Sequence, residues 1–128
     1  MSDLRTGLTF DNLREANIKR LENTLKFAKS KDWSIAQWER AVTGEWGEYS
    51  NFMKKVDRGD FDFSEAKEDV AKELADVQIY LDLLCHKLDI DLGEAVVSKF
   101  NEVSEKVNSP IVMKADGHWS YSEAFEPA

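Results

Sequence analysis

Apolar and aromatic positions along this chain recur at steps of three and four, which is the period of helices, not of strands. Four segments carry the pattern. The first spans about 10–28, with Leu13, Asn17, Leu21, Thr24 or Leu25, and Ala28 near one stripe. The second opens at Ser34 with Gln37 three residues on, the spacing of a capping box, and continues to about Val56, where "DRGD" (57–60) stops it. The third opens after Ser64 and runs to about Leu88; Glu65, Glu68 and Asp69 fall in its first turns, where the helix dipole favours acids. The fourth opens at Asp91 with Glu94, again the capping-box spacing, and ends near Asn108–Pro110. No stretch alternates convincingly at period two, so no substantial sheet is predicted.

Connections of about 3–8 residues make neighbouring helices antiparallel, so the expected fold class is all-α and four-helix bundle-like. Residues 1–108 are expected to form one helical domain. The tail, "SPIVMKADGHWSYSEAFEPA" (109–128), has no helical stripe but carries Trp119, Tyr121 and Phe125. It is expected to be an extended segment packed on the body or on a partner and frayed at its end.

Two helices break their own apolar pattern in the same way. In the second, Trp38, Val42, Glu45, Tyr49, Phe52 and Val56 follow one face, with Glu45 in the middle and Glu48 one turn on. In the third, Ala66, Val70, Glu73, Val77, Tyr80 and Leu84 follow one face, with Glu73 in the middle and Asp76 one turn on. Carboxylates three apart lie on neighbouring turns, about 5–6 Å apart at Cβ. If the helices are antiparallel neighbours, both pairs can face one point. Four desolvated carboxylates there could not all stay ionised alone. Hard divalent cations such as Mg²⁺ or Mn²⁺ resolve the repulsion and keep positions open for water and phosphate oxygens. Acid pairs at this spacing also occur on solvated helix faces, and that reading stands beside the metal site. A carboxylate-bridged di-iron site would need Glu-x-x-His. Leu83 precedes His86 by three and Ala115 precedes His118 by three, so that class does not fit.

Composition narrows the field. The 128 residues are 42% hydrophobic and 33% charged, with a net charge of −8. An acidic chain argues against a nucleic-acid grip and against a polybasic membrane contact. It does not exclude a phosphate-bearing small ligand, because bound metal ions reverse the local sign. The only cysteine, Cys85, rules out an internal disulfide and fits a reducing compartment. No apolar run approaches the roughly 18 residues of a membrane span, and the first residues lack a basic-then-apolar signal pattern. A cytoplasmic protein is expected, in the host cytoplasm if phage-encoded.

Glu-Trp-Gly-Glu (45–48) and Glu-Leu-Ala-Asp (73–76), with 24 residues between them, resemble the Glu-x-x-Glu … Glu-x-x-Asp signature of the MazG-like, all-α nucleoside triphosphate pyrophosphohydrolases. "KDWSIAQW" upstream, "ELADVQIYLDLL" and "DLGEAVVSKFNEVSEK" extend the likeness over about residues 25–108. The resemblance implies a helical bundle assembling as a homodimer or homotetramer. It implies hydrolysis of a (deoxy)nucleoside triphosphate to the monophosphate and pyrophosphate, with Glu45, Glu48, Glu73 and Asp76 as ligands of Mg²⁺, for which Mn²⁺ can substitute. Glu45 or Glu48 would also orient or deprotonate the attacking water. Lys99 and Asn101 are cast as triphosphate contacts, with Lys106 a further candidate. Tyr80 would lie against the sugar, as in relatives that prefer deoxynucleotides. Trp33 and Trp38 are candidates to stack on the base, with core or interface packing the alternative for each. Trp46 reads as a core or dimer contact, Cys85 as a small buried residue, and His86 as surface or interface. His118 and Trp119 could close over a neighbour's pocket. Some pyrimidine-specific relatives have a tryptophan after the first acid pair, where this chain has "NFMKKVDRG", which weighs against a cytosine-type pocket.

Within the resemblance, a dUTP pyrophosphatase, a phage-type dGTP pyrophosphohydrolase and a phosphoribosyl-ATP pyrophosphohydrolase are the alternatives. Outside it, a non-catalytic helical interaction module, binding a protein through its aromatic face, is the competing class.

Overall fold

A computed structural model describes residues 6–123, 125 and 126. The chain is mainly helical: α1 (Phe10–Asn23), two 3-10 turns (Leu25–Phe27 and Ser30–Asp32), α2 (Ile35–Asp57), α3 (Phe63–Lys87) and α4 (Leu92–Lys106), then two short strands, β1 (Ile111–Met113) and β2 (Trp119–Tyr121). The all-α expectation holds at that level. No described helix is long and apolar enough to cross a membrane.

The helix starts follow local chemistry. Ser34 accepts from the Gln37 amide while the Gln37 side chain accepts from the Ser34 amide, completing the capping box. Asp91 likewise accepts from the Glu94 amide at 2.9 Å. α3 begins earlier than expected: Asp62, not Ser64, is its N-cap, and its amide donates to the Glu65 carboxylate at 3.1 Å. α1 ends earlier than expected, at Asn23 instead of Ala28. There the Asn23 side chain donates to the Lys19 carbonyl at 2.7 Å, competing for the last turn, and β-branched Thr24 leaves in an extended conformation. Leu25 falls off the stripe and is 93% exposed, while the 3-10 turns carry Phe27 and Trp33 back to the core.

The chain divides into two compact units, Met1–Asp89 and Ile90–Ala128, so the division falls before α4 instead of after residue 108. In the first unit α2 and α3 form a hairpin closed by five residues, and they pack along the two stripes read from the sequence. Trp38, Ala66 and Val70 are buried, and the remaining positions of both stripes are half-buried. α1 packs on α3. Leu21, Trp38 and Leu83 make the core, with Phe27, Trp33, Ile79, Tyr80 and Leu84 against it. Trp38 packs against Trp33 with tilted rings, centroids 4.8 Å apart, and its ring centroid lies 6.4 Å from that of Tyr80. A polar cluster pins α1 to α3: Arg14 Nε donates to Asp82 Oδ1 at 3.0 Å, and Asn17 Nδ2 to Asp82 Oδ2 at 2.9 Å. Asp82 is 1% exposed; an uncompensated charge at such a depth would cost several kcal/mol, by order of magnitude, and Arg14 supplies the partner. Cys85 is buried, as expected, and burial pushes its thiol pKa up. His86 is half-buried; burial, then the nearby Arg14 charge, hold its imidazole below the usual range.

In the second unit the tail is more ordered than an extended segment. Ile111 pairs with Tyr121, Val112 with Ser120 and Met113 with Trp119, antiparallel. The turn is built on Asp116-Gly117: Gly117 has φ +89°, its amide donates to the Lys114 carbonyl, and the Lys114 amide donates to the His118 carbonyl. A left-handed glycine at this place is the signature of a three-residue hairpin loop. Asn101 of α4 anchors β1, donating to the Met113 carbonyl at 2.9 Å and accepting from its amide at 2.7 Å. That anchoring is the physical reason α4 groups with the tail. The fraying expected at the chain end falls on residues 124, 127 and 128, which lie outside the described residues.

Candidate functional site

The acid pairs meet across the α2–α3 hairpin. Glu45, Glu73 and Asp76 each bring one carboxylate oxygen to within 4.8 Å of the other two. All three are half-buried, because each interrupts or borders an apolar stripe that the opposite helix covers. Glu45 Oε2 and Glu73 Oε2 are buried and have no hydrogen-bond partner. Glu48, read from the sequence as a fourth ligand, is exposed and stands outside this three-oxygen group. It remains close to the group: its charge is among the causes that raise the pKa of both Glu45 and Glu73. Its place at the rim follows from being one turn past the stripe centre.

Electrostatics show the cost of the arrangement. Burial, then the Glu48 and Asp76 charges, push the Glu45 pKa from 4.5 up to about 7. Glu73 is raised by burial first and then by Glu48. Two orphaned carboxylate oxygens in a cluster of hard oxygen donors suit a Mg²⁺- or Mn²⁺-type cation, which would satisfy both at once. The donor set therefore fits the metal that the sequence implies. Exposed acidic groups are common without an ion; the two buried, unpartnered oxygens are what sets this cluster apart.

Close to the acids lies a small cavity of about 40 Å³, well below the volume of a small-ligand pocket. Asn17, Phe27, Trp33, Trp38, Ile79 and Tyr80 contribute to its lining. Tyr80 joins the two features. It lines the cavity, and burial followed by the charges of Glu45 and Asp76 raises its phenol pKa. Trp33 and Trp38, expected as base-stacking or packing residues, do pack together, and both also form cavity wall. Trp38 is 1% exposed and is primarily a core residue. Trp46 is not core: it is 52% exposed and stacks on Tyr49 at 4.9 Å.

The α4 candidates belong to the second unit. Lys99 is exposed and pairs with Glu102 at 3.3 Å, and Lys106 is exposed. The Asn101 carboxamide, expected as a triphosphate contact, spends its oxygen and one N–H on Met113. Its groove, shared with Ser104, Glu105 and Asn108, has no lysine or arginine in its lining and so lacks the charge a phosphate needs. His118 pairs with Asp116 within the hairpin turn at 3.3 Å.

Sequence reasoning missed Asp82 and Asn17 as a pair. Its available signal was a carboxylate inside "IYLDLLC", where α3 is apolar on two faces because α2 and α1 cover both. It also missed the Asp-Gly hairpin turn, a recognisable short-range signal. No family model, curated protein or solved structure matches this chain.

Proposed function

We propose that this chain is a Mg²⁺-dependent nucleoside triphosphate pyrophosphohydrolase of the MazG-like kind, cleaving a (deoxy)nucleoside triphosphate to the monophosphate and pyrophosphate. One observation carries the reading: three converging carboxylates with two buried, unpartnered oxygens adjoin an aromatic cavity, with Tyr80 common to both. Glu45, Glu73 and Asp76 would hold the cation, which when bound neutralises phosphate charge and acidifies a water. Glu48, at the exposed rim close to these acids, is suited to orient or deprotonate the attacking water. Tyr80 would bear on the sugar, and the walls formed by Trp33 and Trp38 on the base. A homodimer or homotetramer belongs to the same reading, and half-exposed Trp46 and Leu74 on the α2–α3 hairpin support it.

The test is hydrolysis of the common dNTPs, dUTP, dITP and NTPs with Mg²⁺ or Mn²⁺, with products resolved by ion exchange and Asp76→Asn as control. Monophosphate and pyrophosphate from one or a few substrates, lost in Asp76→Asn, is the expected result. No turnover across the panel overturns the reading. Absence of metal binding as well would favour a helical interaction module.

A further inference from the structure

The β1–β2 hairpin has two edges, and side chains close only one of them. The Ser122 amide donates to the Pro110 carbonyl at 2.7 Å and the Lys114 amide to the His118 carbonyl at 2.8 Å. Such contacts alternate along an antiparallel pair. The backbone groups of Val112 and Ser120 therefore face each other, while those of Ile111, Met113, Trp119 and Tyr121 point outward. On the β1 edge, side chains take them up. The Ile111 amide donates to Ser109 Oγ at 3.2 Å, and the Asn101 carboxamide holds both the amide and the carbonyl of Met113. On the β2 edge, the N–H and C=O groups of Trp119 and Tyr121 bond to no described residue. Edge strands are ordinarily guarded by a charge, a proline or a bulge. Trp119-Ser120-Tyr121 has none of these. Its two rings lie on one face with centroids 5.3 Å apart, and the residues are 57% and 42% exposed. Among the described residues β1 and β2 are the only strands, and they already pair with each other.

We infer that the β2 edge pairs with the β2 edge of a second copy of this chain, antiparallel about a two-fold axis at Ser120, making one four-stranded sheet. The segment is complementary to itself in that register. Trp119 faces the partner's Tyr121, and Tyr121 faces the partner's Trp119, each as a hydrogen-bonded pair. Every open N–H and C=O of the two residues then finds a partner. Other registers do not achieve this. A shift by two residues sets Tyr121 against the partner's Gly117 in the hairpin turn, or Trp119 against the partner's Glu123 beyond the strand's end. A shift by one sets open groups against groups already engaged with β1. The two-fold register also brings aromatic side chains together across the seam, a favourable cross-strand contact, and sets His118 opposite the partner's Ser122, so that no like charges meet. A contact of this kind is isologous, the form taken by most soluble homo-oligomers. It concerns the second unit alone and stands whether or not the chain hydrolyses nucleotides.

The experiment follows backbone amide exchange of the full chain by NMR as its concentration is raised. The Ser120 amide faces β1 within each copy and is the internal reference. The Trp119 and Tyr121 amides are expected to slow by roughly 10-fold or more with rising concentration. Fast exchange of both at every concentration overturns the inference and leaves the edge to a strand from another protein. Cysteine variants test the register. Facing residues of a non-hydrogen-bonded pair stand about 4.5 Å apart at Cα, within disulfide reach, so Ser120→Cys should form an intermolecular disulfide with oxidised glutathione. Ser122→Cys should not, because its two copies would lie about 13 Å apart along the seam. The parent, whose only cysteine is the buried Cys85, is the control for chance cross-linking. Equal cross-linking at 120 and 122, or none at 120, overturns the inference. Should a cysteine variant fail to fold, the exchange rates of the parent decide alone.

Discussion

Replacing Glu45 by glutamine tests the strain of the acid cluster without any substrate. The Glu45 carboxyl is raised from 4.5 to about 7, by burial first and then by the Glu48 and Asp76 charges. A carboxyl with a folded-state pKa above its unfolded value binds its proton more tightly when folded. Its contribution to stability is therefore full below about pH 4.5 and is lost as the pH rises through about 7. Taken at face value the shift is worth about 3 kcal/mol. The side chain is only part-buried, and solvent screening reduces this to roughly 1–2 kcal/mol. Glutamine keeps the shape and removes the charge. In EDTA at pH 8, Glu45→Gln is expected to be more stable than the parent by roughly 1–2 kcal/mol, or roughly 3–8 °C in Tm. At pH 4.5 the gap should close, because the parent carboxyl is then protonated in the fold. Circular-dichroism melts at the two pH values measure both quantities, and a second series in Mg²⁺ should stabilise the parent more than the variant. A variant less stable than the parent at pH 8 without metal, or a gap that is the same at both pH values, would refute the electrostatic account of the cluster.

Trp38→Ala empties the centre of the first unit and should cost about 3–5 kcal/mol in denaturant unfolding; a loss under about 1 kcal/mol would mean that the Leu21–Trp38–Leu83 cluster is not the core. Asn101→Ala removes both bonds to Met113, and hydrogen exchange at the Met113 amide should quicken by roughly 10-fold or more while α1–α3 amides stay protected. Gly117→Val forces a β-branched residue into a left-handed turn at φ +89°, at a cost of about 1–2 kcal/mol, and should weaken the cross-strand contacts of Ile111 with Tyr121 seen by NMR.

Much of the helical framework was legible in the residues alone. The starts of α2 and α4 lie in capping contacts three residues long, and the packed faces of α2 and α3 lie in steps of three and four. Both signals are local, so a single sequence carries them in full. The acids in the middle of each stripe were legible for the same reason. The end of α1 was not, because Asn23 and Thr24 turned the balance between one more helical turn and a side-chain bond to the Lys19 carbonyl. Glu48 shows where spacing stops: it places two acids on neighbouring turns but does not say that the facing helix covers Glu45 and leaves Glu48 at the rim. Asn101, cast by the resemblance as a triphosphate contact, has its oxygen and one N–H taken by Met113 of β1, which no local pattern announces. The Asn17 contact lies furthest from the local pattern, since its partner Asp82 is 65 residues away and Arg14 reaches the same carboxylate across 68. Helix period and capping energies are written within a few residues, whereas burial and the choice of polar partner are decided only when distant segments exclude water together.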